Sequence, residues 1–294
     1  MSNRTPEQIK AIEQHALNIR RNVIKMIATA GSGHPAGSLS IVDALACLYF
    51  GVMRYDPHNP NDPNRDILVL SNGHVCPALY ATMAEAGIIP ESELMTLRRF
   101  GSRLQGHPER AKLPGLETTS GPLGEGLSQA AGMAYALKYL MPTNDRHVYC
   151  IISDGELNEG NIDEAAKFAG KYQLSNLTVL LDRNGIQLSG TTENILPNFG
   201  RCGIQFTAHN WDNFFAFSGN NVACILDAID ESKRRTPEQL KHGFSLDHPR
   251  LIQLHTTPGK GVDFMENDYN WHGKAPSLDD AKHILSKLGD KKHV

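Results

Sequence analysis

Two oxygen-bearing residues stand at matched places in the chain. Asp154-Gly155 follows the apolar run "VYCIIS", and Asn184-Gly185 follows the run "LTVLLDR". Asp offers an anionic oxygen and Asn a neutral carbonyl oxygen. A backbone carbonyl just after Asn184 would make a third ligand. Three such oxygens are half of the octahedral shell that magnesium takes at ~2.1 Å, the rest coming from phosphate oxygens and water. Gly155 would let the backbone approach a phosphate, and the N-terminus of a following helix favours an anion. The same dipeptides also serve as plain strand-end turns in α/β proteins. The pair alone leaves both readings open.

Histidines supply the second kind of chemistry. His34 lies in "ATAGSGHPAGSLS", His74 in "VLSNGHVCPALYA", His107 in "QGHPER" and His272 in "PGKGVDFMENDYNWHGKAP". Each sits beside Gly or Pro in a loop-like stretch, not on an apolar helix face. A lone histidine is more often a satisfied structural or surface residue. Four in glycine-rich loops, together with an Asp/Asn pair, are hard to explain in that way. Histidine titrates close enough to neutrality to move protons on and off hydroxyls.

Elements must carry these residues to one place. Short continuous apolar strands are expected at 66–71, 147–152, 177–182, 212–217 and 250–255. Helices are expected at 7–29, 39–53, 75–86, 91–99, 124–140, 159–173 and 221–235. Apolar strands alternating with helices predict an α/β fold, a doubly wound parallel sheet covered on both faces. In such a sheet, ligands bind at the carboxyl ends of the strands. Asp154 and Asn184 should therefore reach the same edge. Residues 1–294 read as a single domain, with an insertion-like loop at 236–249 and a fraying tail from Lys287.

Composition narrows the function classes. The chain has 294 residues, of which 40% are hydrophobic and 21% charged, as in an ordinary globular protein. A net charge of −3 offers no broad basic face for nucleic acid. No apolar run approaches a membrane span, and the charged N-terminus lacks a signal core. Five cysteines, odd in number and never paired as C-x-x-C, suggest reduced thiols and a cytoplasmic location.

The spacing of Asp154-Gly155 and Asn184 resembles the thiamine diphosphate signature, with Ser153 in place of its usual first glycine. The blocks Ser32-Gly33-His34-Pro35, Ser71-Asn72-Gly73-His74, Gly106-His107-Pro108-Glu109, Gly121-Pro122-Leu123-Gly124 and Trp271-His272-Gly273-Lys274-Ala275-Pro276 follow in order. Together they resemble the N-terminal, diphosphate-binding half of transketolase, from about residue 10 to about residue 280. Two stretches depart from the family pattern. "AFSGNN" stands where Asp-Gly-His-Asp is usual, and Pro258 where a lysine is frequent. The proline would stiffen the loop carrying His272.

The resemblance implies thiamine diphosphate with Mg2+, or Ca2+ or Mn2+ in its place. Asp154, Asn184 and the backbone carbonyl of Ile186 would hold the metal. His74, Gly155 and Glu156 would belong to the cofactor-binding set, with Gly121, Pro122 and Leu123 on the aminopyrimidine side. His34 and His272 would sit between diphosphate and substrate and carry the acid–base work, and His107 would hold a substrate hydroxyl. Glu159 and Glu164 would face a partner chain. The cofactor would serve as electron sink while a two-carbon ketol (glycolaldehyde) unit passes from a ketose to an aldose. Carbohydrate metabolism, the pentose phosphate pathway included, is the family's setting.

In that family a second half supplies the glutamate that protonates the aminopyrimidine and the arginines that grip a terminal phosphate. The chain ends at Val294 with neither. The expectation is thus one subunit of a split transketolase, joined by a separate C-terminal, pyrimidine-binding subunit in a heterotetramer with two copies of each. Its substrates would be sugars or sugar phosphates. Two other readings compete. One is the α-subunit of a 2-oxo acid dehydrogenase or carboligase, which would suit the Asp/Asn pair but not four histidines. The other is a non-catalytic family member, which would bind cofactor weakly and have no partner.

Overall fold

A computed structural model describes residues 4–141, 143–197, 202–234 and 247–288. The loop expected at 236–249 and the tail lie mostly outside these residues.

Seven strands occur among them: β1 (Ile67–Leu70), β2 (Val148–Ser153), β3 (Leu177–Arg183), β4 (Ile186–Gln187), β5 (Gly190–Thr191), β6 (Asp212–Ala216) and β7 (Arg250–His255). Five build one parallel sheet in the order β1-β2-β3-β7-β6, while β4 and β5 form a small antiparallel hairpin. The register places Ser153 beside Asp182, so β2 and β3 end level and deliver Asp154 and Asn184 to one edge.

The helices are α1 (Pro6–Ala30), α2 (Pro35–Ser40), α3 (Val42–Cys47), α4 (Cys76–Glu85), α5 (Glu125–Tyr135), α6 (Gly160–Lys171), α7 (Thr192–Ile195), α8 (Ile204–Ala208), α9 (Val222–Ser232) and α10 (Leu278–Lys287). Alternate strand residues face opposite layers. Leu68, Leu70, Tyr149, Ile151, Leu180, Ile252 and Leu254 pack with α1, α3, α4 and α9. Ile67, Val69, Cys150, Ile152, Val179, Leu181 and Leu251 pack with α5, α6 and α8. Burial on both faces is why these strands read as unbroken apolar runs.

Helix α1 begins where Thr5 and Gln8 cap each other and ends at Gly31, whose φ of 62° is left-handed. Elsewhere the helices depart from the sequence pattern. The single helix expected at 39–53 starts earlier, at Pro35, and breaks at Ile41 into α2, α3 and a wider π-type turn, Leu48–Val52. At the break, the buried Ser40 hydroxyl lies within hydrogen-bond reach of the Gly37 carbonyl and of the Asp182 carboxylate. Back-bonding of this kind bends helices. The helix expected at 91–99 is a 3-10 stretch, Glu91–Thr96. Arg98, at φ 60°, turns the chain so that its guanidinium reaches the Ser32 hydroxyl at 2.6 Å. All five cysteines are free thiols, and no helix among the described residues is long and apolar enough to cross a membrane.

Candidate functional site

The loops at the carboxyl ends of β1, β2, β3 and β7, with the 107–123 segment, enclose a cavity of about 420 Å3. Its wall includes His34, His74, His107, His272, Gly121, Leu123, Gly155, Asn184 and Ile186. Such a volume suits a cofactor-sized ligand.

One end of the cavity is built on strand ends. Asp154 is buried just past β2; its Oδ2 accepts the Gly185 N–H at 2.8 Å, and its Oδ1 has no partner in the protein. Asn184 Oδ1 accepts the Ile186 N–H at 3.1 Å, and its Nδ2 donates to Asp182 Oδ2 at 2.9 Å. Asp182 is fully buried and also accepts the hydroxyls of Ser40, at 2.6 Å, and of Thr256. This second carboxylate fixes which way the Asn184 amide turns. Burial, together with the Asp182 charge, pushes the Asp154 carboxyl up to about 7; burial pushes Asp182 up to about 6. A buried carboxylate oxygen without a donor is costly to leave bare. It is the kind of group a hard cation satisfies, so the oxygens of Asp154, Asn184 and the nearby Ile186 carbonyl fit a divalent metal.

The other end is a histidine cluster on loops. His34 and His74 rings lie 5.0 Å apart, His74 and His272 5.4 Å, and His34 and His272 5.6 Å. His34 is the residue before α2, and His74 lies in a 3-10 turn between β1 and α4. His272 follows another such turn, Tyr269–Trp271. The loop leading to it is tied to α2, for Gly259 N–H donates to the Ala36 carbonyl at 2.9 Å, and Pro258 O accepts from Asn267 N–H at 3.1 Å. Nδ1 of both His34 and His272 is buried without a partner. Burial, then the neighbouring His272, Arg98 and His107, lowers the His34 imidazole to about 4. Burial and the adjacent histidines lower His74 to about 3. Burial lowers His272; burial and then Arg98 lower the more exposed His107. The four rings are therefore neutral near pH 7.

The sequence-derived set divides at this point. Seven of its residues share the cavity wall with Gly121 and Leu123, as above; Asp154 does not reach the wall itself but is buried between Ser153 and Gly155, which do. Pro122 is exposed and outside the wall. Glu156 is also outside it; the side chain is fully buried, and both carboxylate oxygens are occupied by donors from the protein. Direct side-chain contact with a ligand in this cavity is thus closed to Glu156. Glu159 and Glu164 are exposed on the α6 side.

Other residues were not singled out by sequence. Asn72 lines the cavity with both amide atoms unpartnered, and Ser120 Oγ and Gln187 Nε2 are likewise buried without partners. Asn72 is adjacent to the quoted Gly73-His74, which was a usable signal. Gln187, Leu188, Ser189 and Ile195 come from the hairpin and short helix after Asn184. Nothing local marks Arg98, which enters through tertiary contact alone. Gly73 allows the β1 loop to approach the 120–121 backbone, where an added Cβ would lie 2.7 Å from Ser120 Oγ and 3.1 Å from Gly121 N.

A parallel α/β sheet with a ligand-ready cavity at its carboxyl edge defines a cofactor-binding class of domain, and a family comparison specifies the cofactor. The model described as transketolase, thiamine diphosphate binding domain, matches residues 12–293, so the chain belongs to that family. It is 34% identical over 287 residues to an apulose-4-phosphate transketolase subunit of Phocaeicola vulgatus, covering 97% of this chain and 96% of that one. It is 40% identical over 260 residues to the 6-deoxy-6-sulfo-D-fructose transketolase subunit SqwG of Clostridium sp. (strain MSTE9), covering 88% and 90%. Among solved structures, transketolase from Leishmania mexicana superimposes with a TM-score of 0.86 at 31% identity, covering 95% of this chain and 41% of that one. The chain thus spans nearly the whole of the subunit-type relatives and about two fifths of that full-length enzyme.

Proposed function

We propose that this chain is the N-terminal, diphosphate-holding subunit of a split transketolase, an enzyme that transfers a two-carbon ketol unit from a ketose to an aldose. The observation that carries the reading is the junction, in one cavity, of an oxygen-ligand end with a cluster of neutral histidines. A plain strand-end turn has no use for a buried, unpartnered Asp154 Oδ1.

In this reading Asp154, Asn184 and the Ile186 carbonyl hold magnesium, and His74 with the Gly155 backbone takes the diphosphate. Gly121 and Leu123 lie against the aminopyrimidine. When bound, thiamine diphosphate supplies the carbon nucleophile and electron sink that cleavage beside a ketose carbonyl requires. His34 and His272, neutral and each with an unpartnered Nδ1, accept and return protons at substrate hydroxyls. His107, more exposed, orients a hydroxyl. Several hydrogen-bonding rings suit a polyhydroxylated sugar better than a small 2-oxo acid.

A separate C-terminal subunit completes the site, with Glu159 and Glu164 facing it, in an assembly of two copies of each chain in the cytoplasm. The near full-length match to proteins named as transketolase subunits supports this part. The test is a ketol-transfer assay on the complex recovered from the native host, with magnesium and thiamine diphosphate present. Transfer of glycolaldehyde from a ketose to an aldose is expected. Turnover of a 2-oxo acid with no transfer from any ketose would contradict it.

A further inference from the structure

We infer that Glu156 is a positioning residue, a buried carboxylate clasp that sets the Gly121–Leu123 loop against the strand ends and so determines how tightly the cofactor is held. The inference rests on the function proposed above. Three segments of the cavity meet at this one side chain. Oε1 accepts the Ser71 hydroxyl at 2.6 Å and the Gly124 N–H at 2.8 Å. Oε2 accepts the Ser153 N–H at 2.9 Å and lies 3.4 Å from the Ser153 hydroxyl. Ser71 precedes Asn72 and His74, Gly124 ends the loop of Gly121 and Leu123, and Ser153 precedes Asp154.

The chemistry favours a carboxylate at this position. Its donors are two backbone N–H groups and hydroxyls, and a carboxylate has acceptor oxygens on both sides. No lysine or arginine pairs with Glu156 among the described residues, so directed hydrogen bonds replace a counter-charge. Gly124 is held from a second side. Its φ is 81°, an added Cβ would fall 2.0 Å from Asn161 Oδ1, and Asn161 Nδ2 donates to the Leu123 carbonyl at 3.3 Å. The loop is thereby fixed by contacts behind the cavity wall, leaving its front free for a ligand. An amide in place of the acid cannot satisfy the same set. Whichever way Glu156→Gln turns, its NH2 meets either the Gly124 or the Ser153 N–H, and one arm of the clasp opens.

The test is isothermal titration of the complex of this chain with its partner subunit, freed of cofactor, with thiamine diphosphate and magnesium, for wild type, E156Q, S71A and the double variant. Supporting groups one step behind a metal or cofactor site typically matter by about 10- to 100-fold in affinity. E156Q should weaken cofactor binding by about tenfold or more, S71A by a few-fold, and the double variant no further than E156Q alone. In the complex assay, the cofactor KM of E156Q should rise while kcat at saturating cofactor falls much less. A merely structural role would lower the melting temperature without this split. Cofactor affinity of E156Q within about twofold of wild type would overturn the inference. If E156Q does not fold, S71A decides, and unchanged cofactor affinity in it would overturn the inference equally. A wild-type complex that takes no cofactor would instead bring down the proposed function, and this inference with it.

Discussion

The two ends of the cavity are built on different principles. The oxygen end grows from β2 and β3, whose level ends are fixed by parallel pairing, and Asp182 locks Asn184 from beneath through Ser40 and Thr256. The histidine end grows from loops off α2, β1 and β7, held by ring contacts near 5 to 6 Å and by backbone ties such as Gly259 to Ala36. The first end concentrates buried acid whose protonation burial favours. The second concentrates base that burial keeps neutral. An anchor needs rigid geometry, and strand ends provide it. Proton transfer needs unspent nitrogen lone pairs or N–H groups, and loops leave these free.

This contrast predicts a separation of phenotypes. The largest effect is expected at the histidine end, where H272A should lower kcat by roughly 10²- to 10⁴-fold in the ketol-transfer assay. Calorimetric cofactor affinity should stay within a few-fold; if it collapses instead, the two ends are not separable. At the oxygen end, D154A should weaken magnesium-dependent cofactor binding by more than about 100-fold, beyond the range for groups one step behind the metal. Calorimetry with and without magnesium reads this, and equal affinities for variant and wild type would break the anchor assignment. D182A should cost about tenfold in the same titration, because the Asn184 amide loses the acceptor that orients it. A smaller effect concerns pH. The folded-state pKa of His74 is lowered to about 3, below its unfolded value, so its contribution to stability is present above pH 6.5 and is lost as pH falls. Thermal melts of the cofactor-free protein from pH 7 to pH 5 should therefore show a greater loss for wild type than for H74Q, and parallel curves would contradict the burial of a neutral ring.

The sheet was legible because its strands are buried on both faces and bounded by turn residues. All five main strands fall within a residue of the expected bounds at each end. The histidines were legible as a group because glycine and proline surround them. Helix interruptions were not. The break at Ile41 depends on a hydrogen bond from Ser40 to Asp182, 142 residues away in the chain. Arg98 depends on Ser32, 66 residues away. Apolar periodicity carries no information about such partners. Glu156 shows a subtler limit. The resemblance placed it in the cofactor-binding set, and the structure buries its side chain behind the cavity wall, where both carboxylate oxygens accept from the protein. Position in sequence carries no information about which side of the wall such a side chain takes.

The most direct measurement is native mass spectrometry of the chain recovered by affinity tag from its native host, with magnesium and thiamine diphosphate present throughout. The account predicts a complex with a second chain in equal copies, carrying one cofactor and one divalent metal for each copy of this chain. Recovery of the chain alone, without cofactor, would contradict it.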